Sequence, residues 1–287
     1  MTDRKILGVH PSKPTVEGAG VRLYRAFGHD ETKRMDPFLM LDDFHSGDPD
    51  DYMAGFPWHP HRGFETVTYM VTGAMEHTDN LGNRGVIRDG DVQWMTAGSG
   101  IIHQEKPLRA EGFMQGFQLW VNLPRAHKMT APRYRGITAD QIPEVKVGGS
   151  TVKVIAGRLN GVEGPVRDLF VDIEYLDVAL APGAEFSHET DESWTAFAYT
   201  FKGVAGFSGS RPIKAYNLVE LGAGDKIKAE AGPRGARFLL ASGKPLGEPI
   251  AWRGSVVMNT QVELDQAYKE LREGTFTKAD LSPDEAK

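Results

Sequence analysis

Apolar and polar side chains alternate over short stretches along much of this chain, and the stretches end at glycine or proline instead of continuing at helical spacing. The clearest run, Phe64-Glu65-Thr66-Val67-Thr68-Tyr69-Met70-Val71, is rich in β-branched and aromatic residues and predicts a strand. Val21-Arg22-Leu23-Tyr24, entered through Gly18-Ala19-Gly20, predicts another. Helical spacing occurs near the C-terminus, where Val262, Leu264, Ala267, Tyr268 and Leu271 recur between Gln261 and Arg272 and Gly274 stands just past the end. The pattern predicts a mainly β protein with a short C-terminal helix packed on a barrel. The last dozen residues are charged and are expected to fray.

The pattern also repeats weakly. Gly90-Asp91-Val92-Gln93-Trp94-Met95-Thr96-Ala97-Gly98 echoes Gly224-Asp225-Lys226-Ile227-Lys228-Ala229-Glu230-Ala231-Gly232, and Thr68-Tyr69-Met70-Val71-Thr72-Gly73 resembles Ala198-Tyr199-Thr200-Phe201-Lys202-Gly203. At 287 residues the chain is long enough for two domains. Gln141-Ile142-Pro143 and Gly148-Gly149 mark a crossover, so the expected domains are 1–140 and 141–287. In this register His59 and His61 stand opposite Glu189 and Asp191, and His103 opposite Arg237 or Phe238. The second copy is therefore expected to fold alike and bind no metal. His188 reads as structural or exposed, and Glu185, Glu189, Asp191 and Glu192 as a solvated loop.

Composition narrows the chemistry. There is no cysteine, so any metal must be held by nitrogen and oxygen. A formal net charge of -6 with scattered Lys and Arg argues against phosphate neutralisation and direct nucleic-acid binding. No phosphate-cradling glycine loop leads into a helix. Met1 to Gly20 has no apolar targeting segment, and no run has membrane-spanning length, so a cytoplasmic protein without membrane contact is expected.

The candidate chemistry lies in two doublets, His59-Pro60-His61 and His103-Gln104-Glu105. Residues two apart on a strand share a face, so each doublet can aim both members at one point. If extended parity runs on through the following loop, Glu65, Val67 and Tyr69 join His59 and His61 on that face. A barrel or sandwich that pairs the two segments then assembles imidazoles and a carboxylate, a donor set for a first-row divalent transition metal. A single strand histidine is more often an ordinary hydrogen-bonded residue; it is the matched spacing that favours a metal. His10, His29, His45, His77 and His127 show no such pairing and read as surface or loop histidines.

The segments Phe56-Pro57-Trp58-His59-Pro60-His61-Arg62-Gly63-Phe64-Glu65-Thr66-Val67-Thr68-Tyr69 and Gly90 to Glu105 resemble the signature of the pirin family, in the bicupin branch of the cupin superfamily. Pro37 to Phe44, Gln118 to Pro124 and Val257-Met258-Asn259-Thr260 resemble it too. The resemblance implies two tandem cupin-like β-barrels, of the double-stranded β-helix or jelly-roll type. It also implies one metal in the N-terminal barrel, held by His59, His61, His103 and Glu105, with Glu65 set back to orient a ligand or a water. Trp58, Gln104, Lys106 and Gln115 depart from the vertebrate pattern and bear on pocket polarity.

On an octahedral metal, four protein ligands leave about two positions open. The resemblance implies a quercetin 2,3-dioxygenase-like activity that cleaves a flavonol with O2 and releases CO, with Glu105 taking the proton of the 3-hydroxyl. Iron(II) is the expected metal, and nickel, copper, cobalt, manganese or zinc suit the same donors. The expected partners are a small planar aromatic or enolisable substrate and O2, and the expected state is a monomer. Phe56, Trp58 and Phe64 are candidates for an aromatic wall or for ordinary packing, and Arg62 for an anion guide or a structural ion pair. The alternative is a metal-containing regulatory protein of pirin type that binds a transcription factor or a metabolic enzyme. A sugar isomerase or epimerase suits the aromatic surroundings less well.

Overall fold

The computed structural model describes residues 1–109 and 112–278. The protein is mainly β with a short C-terminal helix, and its contacts divide it into two compact units. One comprises Met1–Lys13, Glu31–Pro37 and Asp140–Pro245; the other comprises Pro14–Asp30, Phe38–Ala139 and Leu246–Lys287. The C-terminal segment thus packs with the unit that carries the histidine doublets.

In that unit a seven-stranded sheet runs in the order Arg133–Ile137, Val92–Thr96, Phe64–Thr72, Met114–Asn122, Phe38–Ser46, Val21–Phe27, Lys13–Glu17. A four-stranded sheet runs Phe56–His61, Ile101–Leu108, Ala74–Asp79, Arg84–Ile87. Leu23, Phe44, Met70 and Met114 of the first meet Met75 and Ile87 of the second in one apolar core, which closes the jelly-roll. Alternation within each strand places these residues inward.

Parity does not run on from the first doublet into the next strand. Gly63 takes φ 85° between Phe56–His61 and Phe64–Thr72, and a Cβ built on it would lie 1.9 Å from the Val257 carbonyl oxygen. The left-handed turn resets the alternation. Thr68, not Glu65, shares the doublet's side: its hydroxyl reaches Glu105, whereas Glu65 accepts a hydrogen bond from Thr96 at 2.6 Å. The expectation that Glu65, Val67 and Tyr69 share the face of His59 and His61 therefore fails.

The helix spans Gln261–Glu273, begins with a Thr260/Glu263 capping box and ends at left-handed Gly274. Leu264 and Ala267 bury against Val256, Met258 and Phe276, whereas Val262, at 79% exposed, lies off the stripe. Phe276 is buried, so the frayed tail expected of the last dozen residues does not include it. Thr277 and Lys278 are likewise tied down, by Asn80 and Glu270, and residues 279–287 lie outside the described residues.

In the other unit the long strands Thr195–Phe207 and Lys226–Gly243 pair with each other through two register shifts. Glu185–Glu189 pairs with the start of the latter, as Phe56–His61 pairs with Ile101–Leu108. Gly224-Asp225 therefore precedes the counterpart of the His103 strand, one strand later than the repeat predicts. Val92–Thr96 pairs with Phe64–Thr72, and its counterpart is Asn217–Leu221, paired with Thr195–Phe207. A Gly-Asp turn can precede any strand, so its recurrence carries no register. The inward residues of Glu185–Glu189 are Phe186 and His188. Phe186 and Phe207 both pack on Phe238, and His188 Nε2 lies 2.9 Å from Glu174. Glu185, Glu189, Asp191 and Glu192 are exposed, but Glu185 and Glu189 lie on that strand and not in a loop.

Candidate metal centre

Antiparallel pairing sets His103 directly opposite His59, and a register shift follows before Glu105. On the other side of the same strand, His103 faces Asp79 and Glu105 faces His77. The strand Ile101–Leu108 thus carries donors flanked on both sides by further imidazoles.

His59 Nε2 lies 2.9 Å from His61 Nε2 and 2.9 Å from His103 Nε2. One ligand atom from each of these residues falls within 4.8 Å of the others, and the same holds for a second, overlapping group of His77, His103 and Glu105. Three of the four residues expected as ligands, His59, His61 and His103, thus form one group, and Glu105 falls in the other beside His77, with His103 common to both.

The outer contacts assign the tautomers. His59 Nδ1 sits 2.8 Å from the Pro57 carbonyl, which can only accept, so Nδ1 carries the proton and Nε2 presents a lone pair. His77 Nε2 lies 3.2 Å from Asp79 Oδ2 and donates to it, which leaves its Nδ1 to accept. His103 Nδ1 lies 3.2 Å from that atom and donates, so His103 Nε2 is also a lone pair aimed at the cluster. Lone pairs crowded together without a proton between them repel, and a cation resolves the conflict. The donor set fits a transition metal.

The electrostatics agree. Burial pushes the pKa values of His59, His61 and His103 down, and neighbouring imidazoles lower all three further, so all are neutral near pH 7 and ready to ligate. Burial pushes the Glu105 carboxyl up to about 7, against the opposing hydrogen bond from Thr68 Oγ1 at 3.2 Å. The carboxyl is thus poised to exchange a proton near neutrality.

Several sequence expectations change here. His77 is neither a surface nor a loop histidine: it is fully buried and holds His103 in its tautomer. The signal was present, because His77-Thr78-Asp79 is itself an x-separated pair on a strand. Among the described residues Glu65 hydrogen-bonds to Thr96 and to no imidazole of the cluster, and burial raises its carboxyl pKa. Arg62 is structural, paired with Glu270 at 2.7 Å and lying over the Phe276 ring. Phe64 packs in the core against Trp120 and edge-on to His61, whereas Phe56 and Trp58 do line a cavity.

That cavity has a volume of about 560 Å³, within the range of small-molecule sites. His59, His61 and Glu105 open into it, and Met75, Trp120 and Trp252 join Phe56 and Trp58 on its apolar side. Trp252 reaches it from the short strand Ala251–Arg253, far along the chain from the doublets, and no spacing pattern announces it.

The pirin family profile matches residues 20–121, and the profile of the pirin C-terminal cupin domain matches residues 175–277. A pirin-like protein of Caulobacter vibrioides is 46% identical over 278 residues, covering 96% of this chain and all of that one. Human pirin is 41% identical, with 91% of this chain and 90% of that one covered. The crystal structure of a quercetin 2,3-dioxygenase from Acinetobacter baumannii superposes with a TM-score of 0.88 at 32% identity, over 96% of this chain and 99% of that one. With both pirin profiles matched in order and close relatives aligned nearly end to end, this chain belongs to the pirin family.

Proposed function

We propose that this protein is a metal-dependent dioxygenase that opens a flavonol ring with O2 and releases CO. His59, His61, His103 and Glu105 hold the metal, iron(II) in the first instance. The observation that carries this reading is the convergence of imidazole lone pairs and a neutral-poised carboxyl on the wall of an aromatic-sided cavity. The likeness to a quercetin 2,3-dioxygenase of Acinetobacter baumannii supports it.

A divalent transition metal bound there would supply Lewis acidity. The chain supplies the rest. Glu105 accepts the proton of the flavonol 3-hydroxyl as that oxygen takes on negative charge. Thr68 donates to Glu105 Oε1 and so keeps that oxygen oriented while the proton moves. Phe56, Trp58, Trp120 and Trp252 pack against a planar ring system and limit the water that reaches the electron-rich enolate.

The test is anaerobic reconstitution with iron(II), addition of quercetin, admission of O2 and measurement of flavonol loss together with CO release. The reading expects metal-dependent turnover that disappears in His61→Ala. A folded, fully loaded protein that turns over no flavonol with any first-row metal overturns it and moves the weight to a partner-binding role.

A further inference from the structure

Beyond Thr68 and Glu105, the cavity wall carries polar side chains that ring-opening chemistry does not require. Thr68 pairs directly opposite Gln118, Gln118 opposite Asp42, and Asp42 opposite Arg25, across adjacent strands of the seven-stranded sheet. Directly opposed residues share a face. The row spans three strand spacings, roughly 14 Å. Hydrogen bonds extend it at both ends: Thr68 reaches Glu105 at 3.2 Å, and Arg25 reaches Glu17 at 2.9 Å. All six side chains line the cavity. Exposure rises outward, from 5% at Asp42 through 27% at Arg25 to 43% at Glu17, so the row leads from the metal cluster to the mouth.

Stability by itself does not call for such a row. Ion pairs withdrawn from water are commonly replaced by apolar groups without loss, and the flanking inward residues Met40 and Phe44 are already apolar. What the row provides is hydrogen-bonding capacity facing a ligand. The Thr68 hydroxyl lies 2.6 Å from Gln118 Oε1 and 3.2 Å from Glu105 Oε1, so its single proton serves one or the other, and the Gln118 amide nitrogen has no partner among the described residues. Arg25 grips both Asp42 oxygens at 2.8 Å, which leaves each oxygen a further lone pair. Donors and acceptors therefore alternate along the wall. A hydroxyl, which both donates and accepts, matches that alternation. A carboxylate does not, because Glu105, Asp42 and Glu17 outnumber the single guanidinium.

We infer that the row Gln118–Asp42–Arg25 is the specificity determinant of the site, selecting planar aromatic substrates whose end remote from the metal carries phenolic hydroxyls. The inference rests on the proposed flavonol reading and adds to it a reason for preferring polyhydroxylated substrates over the bare ring system.

The test is anaerobic binding of quercetin and of 3-hydroxyflavone, which keeps the metal-directed hydroxyl and lacks the others, to the metal-loaded protein. Wild type is expected to bind quercetin about tenfold or more tighter, the worth of one hydrogen bond to a charged group. Arg25→Met/Asp42→Leu, which replaces the ion pair by apolar groups of similar size, is expected to bring the ratio near one while 3-hydroxyflavone binds as before. Gln118→Met, which leaves the ion pair in place, is expected to lower the ratio part of the way and covers the case in which the double variant fails to fold. Equal wild-type affinities, or a ratio unchanged in folded variants, overturn the row and leave the flavonol reading intact. Failure of wild type to bind either compound overturns both.

Discussion

At the scale of single residues, His77 and Asp79 matter through His103. The chain Asp79–His77–His103 fixes which imidazole nitrogen points at the cluster. Partners of this kind typically change metal affinity 10- to 100-fold. His77→Gln is expected to weaken iron(II) or cobalt(II) binding by about that factor, and Asp79→Asn by a similar factor that does not add to the first, measured by chelator competition. Wild-type affinity in both variants would reduce the dyad to packing. Glu105 sets the pH dependence. Its folded pKa of about 7 means that metal-free protein holds this proton below pH 7, and a ligating carboxylate must give it up. Acid therefore opposes loading. The Glu105 contribution makes affinity rise roughly tenfold per pH unit up to about 7 and level off above it, while the histidines, already neutral there, add their own competition only at lower pH. Calorimetry in buffers of different ionisation enthalpy should find about one proton released per metal at pH 6 and close to none at pH 8, with Glu105→Gln removing the difference.

At the scale of elements, the doublets and the strand Phe64–Thr72 were legible from alternation alone, and so was the helix, whose Gly274 stop lies where the sequence places it. The junction between the doublet and the strand was not. Parity arguments hold only while the backbone stays extended, and one glycine at φ 85° exchanges the faces of Glu65 and Thr68. Gly63 is also the position least tolerant of a side chain here, because a Cβ would enter the Val257 carbonyl. Gly63→Ala is expected to cost roughly 3 kcal/mol or more, from a positive φ combined with a backbone clash, and to lower metal affinity by moving His61. Thermal unfolding and chelator competition check the two parts. A variant as stable as wild type would show that the turn relaxes without disturbing the strands. The helix provides a milder case: Thr260→Ala removes the side chain that caps the Glu263 amide and should cost about 1 kcal/mol, leaving the metal site unaltered.

At the scale of the whole molecule, the sequence repeat is real in fold and misleading in register, because turn residues recur wherever a strand begins. Pairing, which no local pattern encodes, decides that Glu185–Glu189, with Phe186 and His188 inward, is the counterpart of Phe56–His61 in the other unit. Trp252, which the folded chain brings back to the cavity, is invisible to spacing for the same reason. The consequence is an asymmetric response to metal. Binding to the folded state alone stabilises by RT ln(1 + [L]/Kd), about 2.7 kcal/mol at a hundredfold excess over Kd. That energy enters through the strands Phe56–His61 and Ile101–Leu108, whose mutual pairing holds the donors. Hydrogen exchange should therefore slow on metal addition at the amides of these strands and of Ala74–Asp79, which carries His77. The strands Glu185–Glu189 and Lys226–Gly243, where Phe186 packs on Phe238, should change far less. Equal protection in both sets of strands would mean that the units open together and that their stability is one quantity. Protection confined to the histidine strands would mean that metal occupancy tunes one barrel while the other keeps its own stability.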